Sequence, residues 1–131
     1  MPKNPLVAIV DDDEAVREAL SDLLLLVGLP CRLFDRASAF LADYAPGRFG
    51  CLVTDVRMPG MSGLELQACL CALGSSLPVI IITSTVDEDA RVRALERGAY
   101  AWLAKPVAND ELVLHLRSAM GFDDPAGGAI A

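Results

Sequence analysis

Four apolar runs in this chain each end in a residue suited to phosphate or metal chemistry. Leu6 to Val10 leads into Asp11, Asp12 and Asp13. Cys51 to Thr54 leads into Asp55, the run beginning at Val79 closes on Thr83, and Ala101 to Ala104 leads into Lys105 and Pro106. If the runs are parallel strands, their carboxyl ends share one sheet edge, and residues tens of positions apart meet there. An acidic nest, a lone carboxylate, a hydroxyl and an ammonium gathered at such an edge could move a phosphoryl group onto a carboxylate with a divalent cation's help.

Each member also has a plainer reading. Acids at a strand-to-helix turn cap the helix and complement its dipole. Three together, facing Asp55, need more explanation, because two carboxylates ~4 Å apart repel by about 4 kcal/mol at an effective dielectric of ~20. A hard cation removes that cost. Mg2+ suits it, since it takes a few oxygen ligands, keeps waters and bridges to phosphoryl oxygens. Asp55 alone could be an Asx-turn residue before Arg57-Met58-Pro59-Gly60, or a nucleophile that forms an aspartyl phosphate. Thr83 is an ordinary strand former and Lys105 an ordinary loop charge. At strand ends they become a hydroxyl donor and a point charge for phosphoryl oxygens.

The elements that must position these residues alternate along the chain. Strands are expected at Leu6 to Val10, Cys31 to Phe34, Cys51 to Thr54, Val79 to Thr83 and Ala101 to Leu103; the alternating CRLF suits an edge. Helical stripes fill the gaps. Val16, Leu20, Leu23, Leu24 and Val27 line the first helix, stopped by Gly28; Phe40, Leu41 and Tyr44 mark a short second, ended by Pro46-Gly47. Ser62 caps a third with Leu66, Leu70 and Leu73 on one face. Asp87 to Arg97 forms a fourth, and Asn109 caps a fifth with Leu112, Leu116 and Met120 inward. Right-handed crossovers wind this (βα)5 series into an α/β, doubly wound parallel five-stranded sheet.

Bulk properties bound the rest. At 131 residues the chain is one domain able to bury roughly two-thirds of its unfolded surface. It is 53% hydrophobic but only 5% aromatic, so the core is aliphatic. A net charge of −7 with scattered Lys and Arg argues against nucleic-acid binding by this chain. Cys31, Cys51, Cys69 and Cys71, with a single His, make no metal set and read as buried or half-buried reduced thiols of a cytoplasmic protein. The start lacks a signal-peptide core, and the longest apolar run is too short for a membrane span. Residues 1–121 are expected to form the domain and 122–131, GFDDPAGGAIA less its first glycine, a flexible tail or the start of a linker.

The pieces IVDDDEAVR, LVTDVRMPGMSGLEL, VIIITS and AWLAKP resemble the receiver domain of bacterial two-component response regulators, most closely the FixJ-type group. The resemblance runs from about Leu6 to Met120. It implies a flavodoxin-like, CheY-like fold with strand order 2-1-3-4-5. Asp55 would accept a phosphoryl group from a sensor histidine kinase, with Mg2+ held by Asp11, Asp12, Asp55 and the backbone carbonyl of Arg57. Lys105 would pair with the phosphoryl group, and Thr83 would swing in to hydrogen-bond it. Trp102 stands where the family usually has a Tyr or Phe that rotates with that threonine, and Val107 where an aromatic is common; Ser84-Thr85 is more polar than the usual pair. Asp13 matches no universal role and is left to capping. The domain would be a switch that catalyses only its own phosphorylation and dephosphorylation. It would signal through its fourth helix, fifth strand and fifth helix (Arg91, Arg93, Arg97, Trp102, His115), controlling transcription through a domain outside this chain or acting on a partner protein, or by a phosphorylation-induced homodimer through the fourth helix and fifth strand. Two rivals are an aspartate-nucleophile phosphohydrolase, whose nucleophile would be Asp11, and a receiver-like scaffold that is never phosphorylated.

Overall fold

Three of the apolar runs contain strands buried at every position, and these form the middle of the sheet. The computed structural model describes residues 6–84 and 86–121. Its elements alternate without exception: β1 (Val7–Val10), α1 (Glu14–Leu26), β2 (Cys31–Phe34), α2 (Ala37–Asp43), β3 (Cys51–Thr54), α3 (Gly63–Ala72), β4 (Val79–Thr83), α4 (Glu88–Glu96), β5 (Ala101–Ala104) and α5 (Asn109–Ala119). All neighbours pair in parallel, as the alternating pattern led us to expect, in the order β2-β1-β3-β4-β5 that the family resemblance implied. β1, β3 and β4 are wholly buried, whereas β2 and β5 at the edges are partly exposed. The expected tail at 122–131 and Thr85 lie outside the described residues.

Strand alternation divides the core into two layers. Val7, Ile9, Val53, Ile80, Ile82 and Leu103 point to one face, where α1 and α5 cover them with Leu24, Leu112, Leu116 and Met120. Ala8, Val10, Leu52 and Ile81 point to the other, under Ala37 and Phe40 of α2, Leu66 and Leu70 of α3 and Ala94 of α4. A side chain removed from either layer takes away about 2–5 kcal/mol, because nothing can collapse into the gap.

Helix starts follow local chemistry. Asp13 caps α1 by accepting from the amides of Ala15 and Val16. Ser62 and Glu65 form a reciprocal capping box on α3, and Asp87 caps α4 by accepting from the Ala90 amide. Three expectations need correcting. Asn109 does not cap α5: it is the helix's first residue, and the cap position belongs to Ala108, which has no side-chain acceptor. Leu73 is 63% exposed, because α3 ends one residue before it and the side chain lines a surface groove with Tyr44, Phe49 and Pro78. Cys71 is exposed, its thiol directed at the Arg97 carbonyl; all four cysteines are free. No helix among the described residues is long and apolar enough to cross a membrane.

Candidate functional site

The sheet's hydrogen bonding runs one residue beyond the ends of three strands. The Asp11 amide donates to the Phe34 carbonyl (3.1 Å), the Asp55 amide to Val10 (3.2 Å) and the Lys105 amide to Thr83 (2.9 Å). Ladder bonds thus fix the backbone of three charged residues at one edge before their side chains make any contact. Those side chains then converge. Lys105 Nζ donates to Asp55 Oδ2 at 2.8 Å and to Asp11 Oδ2 at 3.1 Å, joining residues from β1, β3 and β5. The peptide bond between Lys105 and Pro106 is cis, a form the sequence allowed.

The two carboxylates are held differently. Asp55 Oδ1 accepts from the amides of Val56 (2.6 Å) and Arg57 (3.3 Å), so the turn reading was correct as far as it goes. Oδ2 is left facing the edge, with Lys105. Asp11 is more deeply enclosed, at 3% exposed. Its Oδ1 accepts from the Asp13 amide at 2.9 Å. Burial pushes the Asp11 carboxyl above its usual range, and the Asp13 amide and Lys105 only partly offset this. For Lys105, burial pulls downward, but hydrogen bonds and charge from Asp55 and Asp11 outweigh it and hold the ammonium above the ordinary lysine value.

The other candidates lie around this trio. Asp12 is adjacent to Asp11 and exposed. Arg57 is exposed, and its amide is one of the two donors to Asp55. Thr83 ends β4 with its side chain fully buried. Trp102 pairs in register with Ile81 and is half-buried against the α2–α3–α4 layer. No set of three or more His, Cys, Asp or Glu side chains among the described residues could hold a metal by itself.

Two residues escaped the sequence reading. A Cβ on Gly63 would stand 2.0 Å from the Asp55 carbonyl oxygen, and the Gly63 amide donates to Val56 at 2.9 Å. The start of α3 is thus pressed against the backbone of Asp55. Arg17, on α1, donates from Nη1 to the Asp11 carbonyl at 2.7 Å. The sequence carried a trace of the first, since Pro-Gly-Met-Ser-Gly marks a tight connection, but gave no sign of the second.

Comparison with known proteins agrees with this geometry. The model of the response regulator receiver domain matches residues 7–117. Response regulator protein TmoT of Ectopseudomonas mendocina is 43% identical over 115 residues, covering 88% of this chain and 52% of TmoT. Transcriptional regulatory protein FixJ of Bradyrhizobium diazoefficiens is 42% identical over 121 residues, covering 92% and 58%. The chain therefore spans about half the length of these curated relatives. Among solved structures, response regulator StyR superposes with a TM-score of 0.85 at 42% identity, covering 92% of this chain and 60% of StyR. FixJ-N superposes with a TM-score of 0.80 at 35% identity, covering 95% and 98%. A fold, a site edge and a family model that coincide along the same stretch lead to one conclusion: the chain belongs to the response regulator receiver domain family.

Proposed function

We propose that Asp55 is the phosphoacceptor of this receiver and that a sensor histidine kinase is the donor. The observation that carries this reading is the division of labour at Asp55: two backbone amides hold Oδ1, and Oδ2 faces the sheet edge beside the Lys105 ammonium. In the transfer, Asp55 Oδ2 forms a bond to phosphorus, the P–N bond of a phosphohistidine protonated on its other ring nitrogen breaks, and the imidazole leaves as the neutral ring. Transfer of this kind has a loose transition state, so positioning and charge neutralisation provide most of the rate. Lys105 neutralises charge on the phosphoryl oxygens once they displace it from Asp55. Thr83 would supply a hydroxyl donor and Trp102 would be the ring that responds.

The donor chemistry fits a hard divalent cation. Asp11, Asp12 and Asp55 offer only carboxylate oxygens, and with the Arg57 backbone carbonyl they would hold Mg2+, which keeps its remaining waters. When bound, Mg2+ supplies charge neutralisation for the phosphoryl oxygens. We further read the product as a switch rather than a turnover enzyme, located in the cytoplasm. It would bias α4, β5 and α5 toward a state that homodimerises or controls transcription, with coupling of the usual ~1–3 kcal/mol.

The test is phosphorylation by acetyl phosphate or by a kinase in the presence of Mg2+, followed by intact mass. Wild type should gain one acid-stable, base-labile phosphoryl group and Asp55→Asn none. Uptake by Asp55→Asn at the wild-type rate would show that another residue is the acceptor.

A further inference from the structure

The Asp12 side chain makes no hydrogen bond or ion pair with the described residues, yet a carboxylate meant for a cation must point in one direction. The direction of its Cα–Cβ bond is set by the backbone on either side. The peptide plane after Asp12 is pinned by the Asp13 amide, which donates to Asp11 Oδ1 at 2.9 Å. The plane before Asp12 contains the Asp11 carbonyl, and that oxygen accepts from Arg17 Nη1 at 2.7 Å. Arg17 itself is held in the first turn of α1, its amide donating to the Asp13 carbonyl at 3.0 Å. A closed circuit thus runs from Asp11 through Asp13 and Arg17 back to Asp11, with the Asp12 Cα inside it.

We propose that Arg17 is a positioning residue, which orients the Asp12 carboxylate by fixing the peptide plane between Asp11 and Asp12. This rests on the reading of Asp12 as a cation ligand. The contact is charge-assisted and short, the class of hydrogen bond that specifies geometry as well as energy. The planar guanidinium reaches over six residues to a backbone oxygen, which a side chain with a single point charge does less rigidly. Groups that orient metal ligands commonly change metal affinity 10–100-fold when removed. The opposite sign is expected if Arg17 acts only as a charge: removing a cation beside a cation site tightens Mg2+ binding.

The experiment is Mg2+ titration of wild type and Arg17→Met, read by calorimetry and by the Mg2+ dependence of acetyl phosphate labelling. The expected result is roughly tenfold weaker Mg2+ binding, with half-saturation moving at least five times more than the maximal labelling rate. Unchanged or tighter Mg2+ binding overturns the proposal. If Arg17→Met does not fold, guanidinium NMR of the wild type decides: a hindered, slowly exchanging Arg17 Nη1 supports the contact, and a freely rotating one overturns it. Failure of the phosphoacceptor reading looks different, because wild type itself would then take no label.

Discussion

Replacing Lys105 by Met tests the charge balance on which the site depends. Lys105 Nζ is 2.8 Å from Asp55 Oδ2 and 3.1 Å from Asp11 Oδ2, so those oxygens are no farther apart than about 6 Å. Two unit charges at ~6 Å repel by about 3 kcal/mol at an effective dielectric of ~20. Both side chains are 10% exposed or less, so water cannot absorb much of that repulsion. Removing one partner of a buried pair commonly costs ~3–5 kcal/mol. Lys105 keeps 22% of its side chain exposed, which places the expected loss at the lower end, about 3 kcal/mol at pH 7 without divalent cations. The pH dependence has a definite sign. Burial already raises the Asp11 carboxyl, and without the ammonium the folded state holds the Asp11 proton to higher pH than the unfolded chain does. Stability therefore falls as pH rises above the ordinary carboxylate range, and the deficit at pH 5 is smaller than at pH 7. Urea unfolding followed by circular dichroism, in EDTA and in Mg2+, measures all three effects, and Mg2+ should stabilise the variant more than wild type. A loss below ~1 kcal/mol at pH 7 in EDTA, or an equal loss at pH 5, refutes the reasoning.

Two further expectations concern the backbone of Asp55 and the thiols. Gly63→Ala places a methyl 2.0 Å from the Asp55 carbonyl, so α3 must shift. We expect at least ~1–3 kcal/mol of destabilisation by urea unfolding, together with slower labelling of Asp55; a fully stable Ala variant would mean the helix start is free to move. Cys71 is exposed, whereas burial pushes the Cys51 thiol up to about 12. Disulfide reagents at pH 8 should therefore modify Cys71 in the folded protein and Cys51 only on unfolding, and peptide mapping that finds Cys51 modified alongside Cys71 contradicts this burial.

The fold was legible because its signals are long and repeated. Runs such as VIII suit strands covered on both faces, and β4 is buried throughout; β2 is the partly exposed edge strand expected of CRLF, but its burial does not alternate, since Arg32 and Leu33 are both exposed. Convergence of Asp11, Asp55 and Lys105 was legible for a topological reason: in a parallel sheet each needs only to follow its strand. What escaped depends on single residues. Whether Asn109 or Ala108 occupies the α5 cap is decided by one turn of backbone, and Leu73 fits the helical stripe but falls just past the helix's end. Gly63 owes its importance to a neighbour eight residues back, and Arg17 to a carbonyl oxygen, neither of which periodicity records.

The edge also explains why its members differ in length. Asp11 and Asp55 sit on adjacent strands, β1 and β3, so short side chains suffice once the ladder has placed their backbones. Lys105 follows β5, and β4 stands between it and β3. With strands ~4.8 Å apart, the backbones of β5 and β3 are separated by roughly 10 Å, beyond the reach of an aspartate or serine. A long, flexible stem is required, and it must cross the end of β4, where the Lys105 amide is already bound to the Thr83 carbonyl. Thr83 at that strand end is fully buried, and Ser84 just past it is exposed. The width of β4 thus dictates that the charge reaching Asp55 from the end of β5 be carried on a lysine-length side chain.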